Sequence, residues 1–177
     1  MTAVDSAAAH AELSPDSTRS RTIVWQDPSP VAGAGAAMAG IDYMRAIASG
    51  ELPPPPIAVV MRMQPVEVDP GIVVFEGEPG EEHYNPIGSV HGGYAATLLD
   101  SVLGCAVHTT LDAGVGYTTA GLEVKFMRPI TREVERVRAT GEVTYRGRRQ
   151  ATAQGRLTDV SGERLFASAT TTCMILS

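Results

Sequence analysis

Residues 85–111 read NPIGSVHGGYAATLLDSVLGCAVHTTL, and the part from Gly92 to Val107 decides the fold. Nearly every residue there is apolar or small, and Asp100 is its only charge. The run from His91 to about Leu111 is predicted as one long helix. A helix that is apolar on all sides has to be buried on all sides. At about 1.5 Å per residue it spans roughly 30 Å, the width of a small domain. One antiparallel sheet wrapped round one central helix meets that demand.

The flanking sequence supplies the sheet. Residues 61–68 and 71–78 are predicted as two strands joined by a tight turn at Asp69-Pro70-Gly71. Residues 80–89 read as a loop. Four more strands are predicted near 117–128, 133–145, 148–159 and 164–175, with short connections between them. Leu122, Val124 and Phe126 share one face, with Glu123 and Lys125 on the other. Val137, Ala139, Gly141, Val143 and Tyr145 form a similar set. Short turns between long strands imply an antiparallel meander with a polar face and a core face. The order β-β-helix-β-β-β-β is an α+β layout. A single sheet leaves part of the helix uncovered, so a homodimer is expected.

Upstream, residues 1–34 are rich in Ala, Ser, Asp and Pro and read as a flexible N-terminal arm. The patch at 22–25 offers that arm a point to dock. Residues 35–177 are expected to be one domain. Met38, Ile41, Met44, Ile47 and Ala48 recur at helical steps, which predicts an amphipathic helix over 36–49 with Gly50 as its stop. Prolines 53–56 read as a stiff extended spacer.

Composition bounds the function. The chain has 177 residues, 44% hydrophobic and 19% charged, which suits one soluble globular domain. A formal net charge of -6 argues against a sequence-blind nucleic-acid binder, though not against a local basic pocket for a small polyanion. The two cysteines, Cys105 and Cys173, form no C-x-x-C, and no His/Cys cluster has zinc-ligand spacing. Reduced thiols and no metal site are expected. There is no basic segment followed by an apolar leader and no run of 18 apolar residues, so no membrane partner is expected and the cytoplasm is the default.

Three features of the quoted stretch carry chemistry. His91-Gly92-Gly93 stands at the helix mouth, where first-turn N–H groups are unpaired and the dipole is positive. Glycines there let a ligand approach the backbone, and an anion or developing oxyanion is the natural guest. Taken alone, the glycine pair fits a tight loop-to-helix turn as well. Asp100 lies within the apolar helix, and a buried carboxylate is costly unless it is paired or does a job. Its neighbours at helical steps are Ala96, Thr97, Leu103 and Gly104, none of them basic. It is either a structural acceptor or a catalytic base or nucleophile. Finally, nine residues separate His91 from Asp100, roughly 13 Å of helix. That is too far for both to touch one substrate atom from one chain. In a two-fold dimer, the mouth of one subunit can face Asp100 of the other.

The run from Asn85 through His91-Gly92-Gly93 to Asp100 resembles the active-site segment of the hotdog-fold thioesterase superfamily. It is similar in particular to the PaaI-type (phenylacetate-degradation) branch and its mammalian relatives. The resemblance covers roughly 57–175 and implies the same sheet-round-helix fold, as dimers paired into homotetramers. It implies that Gly92 N–H polarises the thioester carbonyl and that Asp100, from the opposite subunit, activates water or attacks. It implies that Asn85 and His91 orient the thioester. Thr119 falls where related enzymes carry a hydroxyl that holds the water or the acid.

The expected substrate is therefore an acyl-CoA, hydrolysed to acid and CoA, with no separate cofactor because CoA belongs to the substrate. Gly93, Arg128 and the cluster Arg146, Arg148 and Arg149 are candidates to meet it, since arginines suit bidentate phosphate contacts. A solvated turn is the alternative for the arginines. His83 flanks the loop, and His108 near the helix end reads as an ordinary polar contact. Two alternatives for the whole chain are a hotdog hydratase or dehydratase and a non-catalytic acyl-CoA-binding protein. The acyl group, aryl or short to medium chain, is not legible.

Overall fold

Among the described residues, three short α-helices precede the first strand: α1 (Pro28–Ala37), α2 (Gly40–Ser49) and α3 (Pro56–Met61). Strands β1 (Met63–Asp69) and β2 (Ile72–Gly77) lead to the central helix, α4 (Gly92–His108). Four strands follow, β3 (Gly116–Phe126), β4 (Val137–Arg146), β5 (Gln150–Asp159) and β6 (Leu165–Leu176). The structure, a computed structural model, describes residues 17–176. The strands form one sheet in the order β1-β2-β4-β5-β6-β3, with every neighbouring pair antiparallel. Helix α4 packs against five of them, β2 through β6. This is the α+β hotdog fold.

Burial of α4 holds the fold together. Leu98, Leu99, Val102 and Leu103 are almost wholly removed from solvent. Each such side chain contributes about 1.5–3 kcal/mol of hydrophobic stabilisation. The sheet comes close enough only because Gly141 on β4 has no side chain. A Cβ there would lie 2.7 Å from the Val102 carbonyl oxygen.

The helix is not buried all round, as its composition demanded. Thr97, Asp100, Ser101, Cys105 and His108 are half-buried. Their spacing makes them one stripe along α4. Helix α2 covers its C-terminal part, pinned by a hydrogen bond from Gly40 N–H to Leu111 O (3.0 Å).

All six predicted strands form, with shifted ends. Tyr145 and Phe126, expected on core faces, are exposed. A bulge between Val143 and Tyr145 turns Tyr145 out. Phe126 is the last residue of its strand, where the sheet ends.

The N-terminal region departs further from expectation. Residues 1–16 of the predicted arm lie outside the described residues. The arm is not irregular to residue 34, because α1 starts at Pro28, capped by the Asp27 carboxylate accepting the Ser29 N–H (2.9 Å). The helix predicted over 36–49 begins only at Gly40; residues 36 and 37 belong to α1, and the chain is extended at Met38 and Ala39. Docking at 22–25 does not occur through Val24 and Trp25, which stay exposed. Arg21 docks instead. Its guanidinium donates to Val59 O (2.8 Å) and Val60 O (3.1 Å) at the end of α3 and to Glu82 (2.8 Å). The proline spacer is extended only to Pro55, and Pro56 opens α3. A proline suits a first helical position, where its missing N–H has no partner to lose.

Candidate active site

The first half of the site is the mouth of α4. His91 is its N-cap, in an extended conformation, and its Nδ1 accepts the Gly93 N–H at 2.8 Å. The ring proton then sits on Nε2, which stays available as a donor. Gly92 is the first helical residue. Its N–H has no acceptor among the described residues, as first-turn geometry dictates. A side chain there would press on the Phe126 ring, 3.2 Å from the Cβ position.

The loop ahead of the mouth is held from within. Asn85 Oδ1 accepts the N–H groups of Ile87 (3.1 Å) and Ser89 (3.2 Å), and its Nδ2 donates to Ser89 Oγ (3.0 Å). One amide hydrogen of Asn85 is left for a substrate. His91 N–H donates to His83 O (2.8 Å), and Val90 N–H to Ile130 O (3.0 Å). His83 underpins this loop. Its Nδ1 accepts the Gly80 N–H (3.0 Å), and its ring lies 4.7 Å from that of Tyr94. Asn85, His91, Gly92, Phe126, Arg128 and Phe166 share a cleft of about 350 Å³. Gly93 is exposed beside it. Arg128 is tethered by a bond from Nη1 to Leu165 O (3.1 Å).

The second half is Asp100. Thr119 Oγ donates to its Oδ1 at 3.0 Å. No cation pairs with this carboxylate among the described residues. The Asp100 carboxylate lines a second cavity, of about 270 Å³, under α2. No residue lines both cavities. Burial pushes the Cys105 thiol, also in this cavity, up to about 12. It is a poor nucleophile at neutral pH. Burial also holds His108 below its ordinary range, so its ring is neutral there.

Within one chain the structure joins Asp100 to Thr119, and Asn85, His91 and Gly92 to Arg128, and keeps the two groups apart. Arg146, Arg148 and Arg149 join neither. Their hairpin lies where Gln150 pairs with Met174 and Gly116 with Leu176. The mouth lies at the other end of β3 and β6, beside Phe126 and Ala167. Sequence reasoning missed Tyr43 and Tyr117, whose rings meet His108 beyond Asp100. No local pattern marks them, because α2, α4 and β3 each supply one.

A long helix clasped by an antiparallel sheet, with an open backbone donor at its mouth and an unpaired acid along its length, defines a hotdog-fold hydrolase. The chain belongs to the thioesterase superfamily, whose family model matches residues 87–166. It is 31% identical over 102 residues to acyl-coenzyme A thioesterase 13 of Homo sapiens, covering 58% of this chain and 71% of that one. It also resembles the structure of a phenylacetic acid degradation-related protein of Ralstonia eutropha JMP134, with a TM-score of 0.68 and 30% identity. That match covers 75% of this chain and 98% of the other. The E. coli PaaI protein of the phenylacetic acid degradation operon shares the fold, with a TM-score of 0.66 at 16% identity, over 76% of this chain and 94% of that one.

Proposed function

We propose that the chain hydrolyses acyl-CoA thioesters with aryl or short- to medium-chain acyl groups, giving the free acid and CoA. One observation carries this reading. The Gly92 donor and the Thr119-steadied Asp100 carboxylate are the two halves of one acyl-transfer site, yet they lie in separate cavities. Two chains related by a two-fold axis would set each mouth against the other chain's acid. Strand β3 offers the seam. It is a sheet edge of eleven residues, and pairing it with a second β3 continues the sheet and covers the open stripe of α4. We infer a homodimer that assembles further to a homotetramer. A cytoplasmic setting suits the two free thiols, Cys105 and Cys173. No helix among the described residues is long and apolar enough to cross a membrane.

In this scheme the thioester carbonyl oxygen points at Gly92 N–H, which with the helix dipole stabilises the oxyanion. His91 Nε2–H and the free Asn85 amide hydrogen orient the thioester, and Gly93 keeps the approach open. Asp100 either takes a proton from the attacking water or attacks the carbonyl itself, and water then cleaves the resulting anhydride. The C–S bond breaks, and the thiolate leaves and is protonated. No metal or cofactor enters, since CoA is part of the substrate. Arg128, on the rim of the mouth, is placed to meet the CoA portion; Arg146, Arg148 and Arg149 reach it only from another chain. The relatives named acyl-coenzyme A thioesterase 13 support CoA as the thiol.

The test is thiol release from a panel of acyl-CoAs by the wild type and Asp100→Asn. We expect turnover that falls about a hundredfold or more in the variant while the fold persists. Saturable CoA binding without turnover would favour a binding protein, and equal turnover in both would point to another carboxylate.

A further inference from the structure

The cavity beside Asp100 is built from two parts of the chain, residues 43–75 and 100–119. Its floor is the half-buried stripe of α4, from Asp100 to His108. Its roof comes from α2 and α3 and the first strand, including Met44, Ile47, Ile57 and Met63. All of these lie ahead of the segment that the superfamily model covers. The roof cannot lift freely. Gly40, the first residue of α2, sits so close to the His108 carbonyl that a Cβ there would lie 1.8 Å from its oxygen.

The cavity changes character along its length. At one end are the Asp100 carboxylate and the Thr119 hydroxyl. Apolar side chains, Met44, Met63 and Phe75 among them, line it as well. Toward the end of α4 the His108 ring lies between two others, 5.5 Å from Tyr43 and 5.3 Å from Tyr117. All three residues line the cavity. This trio joins α2, α4 and β3 and forms the cavity's wall on the His108 side. With His108 neutral, the wall carries no charge at neutral pH.

We propose that this cavity holds the acyl chain of the substrate and that the Tyr43–His108–Tyr117 ring trio ends it, limiting saturated acyl groups to about ten carbons. The inference rests on the thioesterase reading above. The limit follows from a length. Asp100 and His108 are eight residues apart on one helix, about 12 Å, and an extended chain advances about 1.2 Å per bond. An aryl ring on a short linker also fits. A longer chain meets the rings and either bends back or leaves methylenes in water. Each exposed methylene forfeits about 0.8 kcal/mol, a factor of about four in affinity.

The experiment measures kcat/KM by thiol release for butyryl-, octanoyl-, decanoyl-, tetradecanoyl- and palmitoyl-CoA. In the wild type, kcat/KM is expected to rise to octanoyl or decanoyl and to fall at least about tenfold by tetradecanoyl. Tyr43→Ala and, separately, His108→Ala open the wall. Each is expected to move the fall to longer chains while butyryl-CoA stays within about threefold of wild type. Should one variant fold poorly, the other and the wild-type profile still decide. Palmitoyl-CoA turned over as well as octanoyl-CoA by the wild type overturns the inference. So does an unchanged length limit in a folded variant. Either result leaves the thioesterase reading standing. No hydrolysis at any length overturns that reading and this inference with it.

Discussion

At the scale of single residues, the site depends on which oxygen of Asp100 is occupied. Thr119 holds Oδ1 by a hydrogen bond, and both residues line the same cavity. A hydrogen bond to a charged group contributes about 1.5–3 kcal/mol, so Thr119→Val should lower kcat about ten- to hundredfold. Thr119→Ser should keep most of the activity. A Val variant as active as wild type would remove Thr119 from the mechanism. Asp100 stood out in the sequence as a lone charge in an apolar helix, though a structural acceptor explained it there as well as a base or nucleophile did. Thr119 was legible only through family resemblance, since nothing within its own strand points to a carboxylate on another element. Asn85 shows the reverse limit. The sequence marks it as a polar group near the mouth, but only coordinates reveal that its amide chiefly organises residues 85–89. The ring trio lay beyond any local reading, because its members are more than sixty residues apart at the extremes and meet only through tertiary packing.

At the scale of elements, periodicity decided what could be read. Helix α4 and the six strands carry strong apolar patterns and were predictable in type. Helix α1, with the sequence PSPVAGAGAA, has no apolar period and is marked only by its Asp27 cap and early prolines. Helix α3 has six residues and hides at the end of a proline run. Distances between elements are not written in the sequence, and β4 lies very close to α4. At Gly141 an added Cβ would meet helix backbone at Val102 O (2.7 Å), Val102 C (2.9 Å) and Leu103 N (3.2 Å). Backbone in a packed helix yields little. Gly141→Ala should therefore destabilise by about 1–3 kcal/mol and lower Tm by roughly 3–10 °C. Gly121 in β3 is the control, since a Cβ there meets nothing within 4 Å. Gly121→Ala should leave Tm nearly unchanged. Similar losses at both positions in thermal unfolding would show that strand glycines matter here for backbone freedom and not for the closeness of sheet to helix.

At the scale of the whole molecule, the proposed reading joins the two separated half-sites through a second chain, and that can be tested without a structure of the assembly. Gly92→Pro removes the mouth's N–H; its ring presses on the Phe126 side chain, which is exposed at the strand end and can shift by a few tenths of an ångström. Proline is favoured at a first helical position, and His91 before it already has the extended backbone (φ -63, ψ 139) that a following proline prefers. Asp100→Asn disables the other half. Each variant alone should be nearly inactive. A mixed dimer, however, contains one site built from an intact mouth and an intact acid, and one site with neither. With random pairing about half of the dimers are mixed and each has one working site of two, so co-expression should restore about a quarter of wild-type activity. The recovered activity should follow the fraction of mixed dimers isolated through two different affinity tags. If each chain used its own mouth with its own acid, every site in every dimer would lack one partner, and no mixture would recover anything. The shared site would then have to be abandoned, and some rearrangement of α4 closing about 13 Å within one chain would be needed in its place.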